Sequence, residues 1–420
     1  MTPVSHAPIP LFICIPFVVW LLLIAVMPLV RRHWWEDNRH KAILAVIVSV
    51  PVLVYLIGAL PDELAHVLED YTSFIILLGA LYIIAGGILV TGDLRATPAR
   101  NTGLLLLGAV IANFIGTTGA SMLLIRPLLK TISERKHIAH IPVFFIFVVS
   151  NIGGCLTPLA DPPLFLGYLR GVPFTWTFQL LPMWLVTLAL VLSVFFIWDT
   201  LSYRRETVRD LARDEREVVP LRVRGILNAL FLLGVIAAVF FQIPSPYREL
   251  TMIAMAILSL KFTAREIRAE NKFTFAPINE VAILFIAIFI TMAPLLVLLR
   301  ERGAELGITQ PWQFFWFAGG LSSFLDNAPT YLVFSSLAES ISHSAAGEIV
   351  AGIRADLLRA ISCGAVFMGA NTYIGNGPNF MVKAIADEQK IATPNFFGYM
   401  VYSGVILLPI FALVTILFFV

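Results

Sequence analysis

The 420-residue sequence is short of charge: Asp, Glu, Lys and Arg together make up 13% of it. A soluble domain carries about a quarter charged residues to coat its surface. The deficit therefore excludes an outer face that meets water all round. Cysteine is scarce too, with Cys14, Cys155 and Cys363 scattered through apolar stretches. Three unpatterned thiols exclude a disulfide framework and a zinc site. A net charge of +2 implies no nucleic-acid partner. Histidine is missing from the middle of every apolar run: His6, His33, His40, His66, His137, His140 and His343 all fall in loops or at segment ends. A histidine proton relay or metal site is not expected. A basic leader is lacking as well, so the first apolar run, ending at Arg31-Arg32, reads as a membrane helix rather than a cleaved signal.

What is abundant is apolar sequence, 59% of residues, with 32 Phe and 25 Pro. Runs of bilayer-spanning length recur along the chain. The expected fold is an all-α polytopic membrane protein with ten crossings, near 10–30, 41–59, 71–91, 141–170, 177–200, 224–242, 249–263, 278–299, 357–385 and 395–420. Segments 102–130 and 311–337 are apolar but interrupted, at Asn113–Gly119 and Ser322–Pro329. Each reads as a re-entrant hairpin. With both hairpins re-entrant and the N-terminus outside, the inside loops hold 22 of the 29 Lys and Arg. That asymmetry is the positive-inside bias of an inner-membrane protein with both termini outside. The linker 201–224, with seven Arg, is its strongest cytoplasmic anchor.

The linker divides the chain into 1–200 and 225–420, each with three helices, a hairpin, a broken helix and a last helix. Five crossings per half make the second half an inverted copy of the first. The broken helices share one ungapped pattern: Gly154, Thr157, Asp161 and Pro163 match Gly369, Thr372, Asn376 and Pro378. At the hairpin tips, Thr117–Ser121 is set opposite Asp326–Thr330. Inverted repeats with broken helices are the architecture of secondary transporters. Backbone freed by a break persists only where protein or a watery cavity satisfies it.

Asp161 and Asp326 are the acids placed clearly at hydrophobic depth, where a carboxylate is costly and functional by default. Each also precedes a helical segment and is in position to cap it. Neutral polar groups surround them: Asn113, Thr117, Thr118 and Ser121 at one tip, with Ser150, Asn151 and Thr157 at its break. Asn327 and Thr330 lie at the other tip, with Asn371, Thr372, Asn376 and Asn379 at its break. Such oxygens suit a dehydrated sodium ion or a carboxylate substrate, while any one Ser or Thr also serves its own helix. Arg126, in the second arm of the first hairpin, is a candidate anion clamp or a snorkelling interfacial cation. No cofactor is implied beyond transported sodium or protons.

At Ser150–Pro163 and at Ser323-Phe-Leu-Asp-Asn-Ala-Pro329 the sequence resembles the ion transporter superfamily. That group includes NhaD-type sodium/proton antiporters, arsenite permeases, citrate–metal symporters and dicarboxylate/sodium symporters. The resemblance implies a homodimer in the bilayer with a scaffold domain and an elevator-type transport domain. The antiporter branch has an Asp-Asn pair in the first hairpin, where this chain has Thr117-Thr118. Citrate-transport relatives have neutral tips of this kind. Two transport readings follow. One is sodium/proton antiport at Asp161 and Asp326. The other is cation-coupled symport of citrate or another carboxylate held by Thr117, Thr118, Asn151 and Asn376. An intramembrane aspartyl hydrolase using the two acids as a dyad is the reading from a different class.

Overall fold

A computed structural model describes residues 9–35, 37–216, 218–342 and 347–420; His6 and His343 lie outside them. The first half runs α1 (Ile15–Val30), α2 (Arg32–Trp35), α3 (Asn38–Ala59), α4 (Pro61–Ala85), β1 (Leu89–Asp93), α5 (Pro98–Thr131), α6 (His140–Val148), α7 (Pro162–Leu169) and α8 (Leu181–Tyr203). After α9 (Val208–Arg216) and β2 (Val219–Arg224), the second runs α10 (Leu227–Phe240), α11 (Tyr247–Phe262), α12 (Arg265–Glu270), α13 (Ala276–Arg302), α14 (Pro311–Ser322) and α15 (Asn327–Ser342). It closes with the ribbon β3 (Ile349–Val350) and β4 (Ile353–Arg354), then α16 (Ala355–Met368), α17 (Gly377–Glu388) and α18 (Phe396–Phe418). Among the described residues, seven helical stretches are long and apolar enough to cross a membrane. Large apolar side chains stand exposed along α1, α3, α8, α10 and α18, the surface a bilayer would cover. The chain is a multi-pass, all-α membrane protein.

One of the seven is a hairpin. At 34 residues α5 would be roughly 50 Å long if straight, well beyond a ~30 Å hydrocarbon core. Gly116 interrupts it with φ 78° and ψ 155°, a conformation that favours glycine. The arms 98–115 and 117–131 fold together: a Cβ at Gly108 would sit 3.2 Å from Leu124 Cδ1. Their outer ends also meet, with Leu94 N donating to Thr131 Oγ1 at 3.2 Å. In the second half α14 and α15 form the matching hairpin, closed by an edge-on Phe314–Phe334 pair.

Both predicted breaks are present. A 3-10 turn separates α6 from α7, and another separates α16 from α17. The matched residues Asp161 (φ −146°, ψ 144°) and Asn376 (φ −153°, ψ 143°) share one extended conformation. Each precedes proline at the first or second helical position, where a missing N–H costs nothing.

Two expectations are corrected. The third crossing ends at Ala85, because residues 89–93 pair antiparallel with 219–224, Leu89 opposite Arg224. The segment 201–224 is therefore not a free linker: it contributes α9 and a strand. Asp199, not singled out in the sequence, is wholly buried near the end of α8. His140, at a segment end as expected, begins α6, is buried, and faces Asp199 Oδ1 at 3.0 Å.

Two groups of helices pack separately and meet at one interface. One contains α1, α3, α4, α10, α11 and α13; the other contains α5 to α8 and α14 to α18. Helices α4 and α13 face α5, α7 and α15 across that interface. In the second group α14 and α16 pack closely, and Gly364 permits it: a Cβ there would lie 2.4 Å from Phe315 O, a distance no side chain tolerates. Gly364→Ala is expected to lower stability by about 1–3 kcal/mol through overpacking. Thermal unfolding in detergent measures it, with Gly404→Ala, which meets no atom within 4 Å, as the neutral control.

Candidate functional site

The site is built on Asp161, the last residue before α7. Although it occupies the N-cap position, its side chain makes no capping bond. The carboxylate turns instead toward three other elements. Oδ1 accepts from Thr117 Oγ1 of the first hairpin at 2.9 Å and from Asn376 Nδ2 of the second break at 3.3 Å. Oδ2 accepts from Asn327 Nδ2 of the second hairpin. Two hairpin tips and two breaks thus converge on one buried carboxylate.

Behind it runs an amide chain. Asn376 Nδ2 also reaches Ser150 O at 3.1 Å and Asn151 Oδ1 at 3.3 Å. Asn151 Nδ2 donates to Asn379 Oδ1 at 2.7 Å, and Asn379 Nδ2 donates to the carbonyls of Gly369 and Thr372 at 2.8 and 2.9 Å. Ser150 and Ser121 share a hydroxyl contact of 2.8 Å. Each break is tied to its own hairpin by the same bond. Thr157 Oγ1 donates to Asn113 O at 2.5 Å, and Thr372 Oγ1 donates to Ser323 O at 2.5 Å. Asn113 further accepts from Leu156 N at 2.8 Å, and Ser323 Oγ accepts from Asn371 Nδ2 at 2.9 Å.

These paired bonds correct the register expected between the tips. With Asn113 opposite Ser323, Thr117 lies opposite Asn327, and Asp326 opposite the turning residue Gly116. The two equivalent residues Thr117 and Asn327 both bond Asp161.

Not every predicted site residue joins the convergence. Asp326 accepts through Oδ1 from Ala328 N at 3.0 Å, capping its own helix. Thr330 Oγ1 bonds back to Asp326 O at 3.0 Å within the same helix. Arg126 does not reach Asp161: its guanidinium lies 3.7 Å from Glu388 at the end of α17. The Glu388 carboxyl is held below its ordinary range by its hydrogen bond to Lys272, then by the charges of Lys272 and Arg126. Thr118 lines a cavity of about 80 Å³ beside Thr117 and Asp161, walled by the apolar Leu77, Leu81 and Ile278 of α4 and α13. Ser323 was missed by sequence reasoning. Its signal was its place three residues before the turn, matching Asn113.

Asp161 has three neutral donors and no basic residue among its hydrogen-bond partners. These hydrogen bonds offset part of the cost of burying the carboxyl, and no basic side chain pairs with it among the described residues. Asn327 adds an oxygen, Oδ1, that is buried and has no partner among the described residues. An amide turned end for end offers oxygen where it offered N–H. The ring can therefore surround a cation at Asp161 with side-chain oxygens, which is what sodium takes as ligands.

A family model described as “Putative citrate transport” matches residues 6–419, nearly the whole chain. No curated protein matches the sequence. A bundle of apolar helices, paired breaks around one buried acid and this match together exclude the hydrolase reading: the chain is a multi-pass membrane transporter, not an enzyme, and it belongs to this citrate-transport family.

Proposed function

We propose that the protein is a secondary transporter carrying a citrate-type carboxylate together with a cation held at Asp161. The observation that supports this reading most is the single buried carboxylate ringed by neutral donors from all the other converging elements. Two unit charges 4 Å apart repel or attract by about 4 kcal/mol near a protein surface. A polycarboxylate therefore approaches Asp161 only with a sodium ion or proton between them, and that requirement couples the two. Thr117, Thr118, Asn151 and Asn376 supply the hydroxyl and amide groups for the anion. The halves insert in opposite orientations, the hairpins re-enter from opposite faces, and the group bearing Asp161 moves along α4 and α13. Antiport by two exchanging acids has less support, since the Asp326 carboxylate is engaged at its own helix end.

Reconstituted vesicles test it, with labelled citrate and an internal pH dye read together. Citrate uptake driven by an inward sodium or proton gradient is the expected result. Proton efflux on adding sodium alone, with no citrate uptake, would overturn the reading in favour of antiport.

A further inference from the structure

Farther along the same interface lies a larger cavity, of about 320 Å³, which Asp161 does not line. It is charged where the first is apolar. Arg300, from α13, is closely paired there: its Nη2 donates to both oxygens of Glu63 at 2.9 and 3.0 Å. Arg170, at the end of α7, is not. Its contacts among the described residues are a long hydrogen bond, Nη1 to Ser336 Oγ at 3.4 Å, and a loose ion pair, Nε 3.9 Å from Asp70 of α4. A guanidinium has five donors in a fixed fork, so most of its capacity faces the cavity. A second, independent group faces it too: Ser335 on α15 is 4% exposed, and its hydroxyl has no partner among the described residues other than the neighbouring Tyr331 hydroxyl.

An underused guanidinium and a buried hydroxyl with only Tyr331 beside it call for an acceptor with more than one oxygen. A carboxylate meets that need, bidentate on the guanidinium and single on the hydroxyl. A metal cation fits less well, since Arg170 and Arg300 line the cavity and two of its three carboxylates, Asp70 and Glu63, are already paired with them. The remaining charged or titratable groups at the cavity are Glu63, Asp70, Glu339, His66 and Tyr331. Glu63 belongs to Arg300, and Asp70 is the acid an arriving anion must displace.

We propose that this cavity captures the carboxylate cargo, with Arg170 and Ser335 as its ligands and Asp70 as the placeholder that the cargo displaces. The proposal rests on the carboxylate-transport reading and adds the residue that first meets the cargo. It also links binding to movement. Asp70 and Arg170 join the two helix groups, so a carboxylate that takes Arg170 from Asp70 loosens that joint before the cargo reaches Asp161.

Kinetics in vesicles separate this from a merely structural ion pair. Arg170→Gln is expected to raise the citrate KM on the order of tenfold, the worth of a hydrogen bond to a charged group, while the maximal rate stays within about twofold. Asp70→Asn is expected to lower KM, because the competing acid is gone. Arg170→Lys keeps the charge but loses the fork, and is expected to fall between. A structural latch alone would change the rate in all three alike and leave KM where it was; that result would overturn the proposal. A second measurement leaves Arg170 intact. His66→Cys, exposed at the cavity mouth, is labelled with an impermeant thiol reagent from either side, with citrate, malate, acetate or chloride present. Slowing by a di- or tricarboxylate but not by chloride supports the site, even if citrate itself proves not to be carried. Citrate transport without such protection would overturn the site and leave the transport reading standing.

Discussion

Asp161→Asn is expected to lower transport on the order of 100-fold or more while leaving the protein folded. The carboxylate attracts a bound cation by about 4 kcal/mol at contact distance, roughly a thousandfold in affinity, and an amide of the same shape keeps only a dipole. Thr117 and Asn376 still find the amide oxygen, and Asn327, whose Oδ1 has no partner among the described residues, can turn to accept from the new NH2. The variant keeps the shape of the side chain without an ionisable group in the interior, so its melting temperature is expected to hold or rise. Asp326→Asn makes the contrast. Asparagine caps a helix about as well as aspartate, so uptake is expected to stay near wild type, whereas Asp326→Ala is expected to cost about 1 kcal/mol of stability through the lost cap. Uptake rates and thermal unfolding of the three variants decide the matter. Equal loss of uptake in Asp161→Asn and Asp326→Asn would bring both acids into the transport step and revive the antiport reading.

How far the sequence could sort these two acids is instructive. Both stand just before a helical segment with proline close behind, so local rules made each a candidate cap and each a candidate site. Only the fold distinguishes them, because the partners of Asp161 lie 44, 166 and 215 residues away. The breaks themselves were legible: glycine, threonine and proline recur at one spacing, and both threonines make the same bond to a hairpin carbonyl. The tip register was off by one, because Thr117–Ser121 and Asp326–Thr330 share no residue identity that pins it. Only the Asn113 and Ser323 carbonyls do. The ribbon of β1 and β2 was hidden because residues 89–91 are apolar enough to extend a helix, and their partners lie beyond residue 218. Arg126 looked like an anion clamp for want of a visible partner, and Glu388 is 262 positions on.

The same blindness hid the buried cluster at the base of the first hairpin, where the largest stability effect is expected. Asp199→Ala is expected to cost about 3–5 kcal/mol, the range for breaking a buried ion pair. The Asp199 carboxylate accepts from Arg135 Nη2 at 2.6 Å and Nη1 at 3.2 Å, from Asn101 Nδ2 at 2.9 Å, and faces His140 Nε2 at 3.0 Å. Arg135 and Asp199 side chains are both wholly buried. Without Asp199, Arg135 keeps Glu206, 3.8 Å from its Nε, one carbonyl bond to Ala96 and the face of the Tyr203 ring. A buried guanidinium so stranded weakens both ends of the hairpin together, since Ala96 enters it and Arg135 follows its exit. The double variant Arg135→Met with Asp199→Leu removes both charges and fills the space, and is expected to unfold within about 1 kcal/mol of wild type. Unfolding in detergent under rising denaturant compares the two. Recovery in the double variant identifies the uncompensated charge as the cause; equal loss in both would identify packing or the Asn101 and His140 bonds instead. Uptake per folded molecule is expected to match wild type in the double variant, because no residue of this cluster bonds the ring around Asp161.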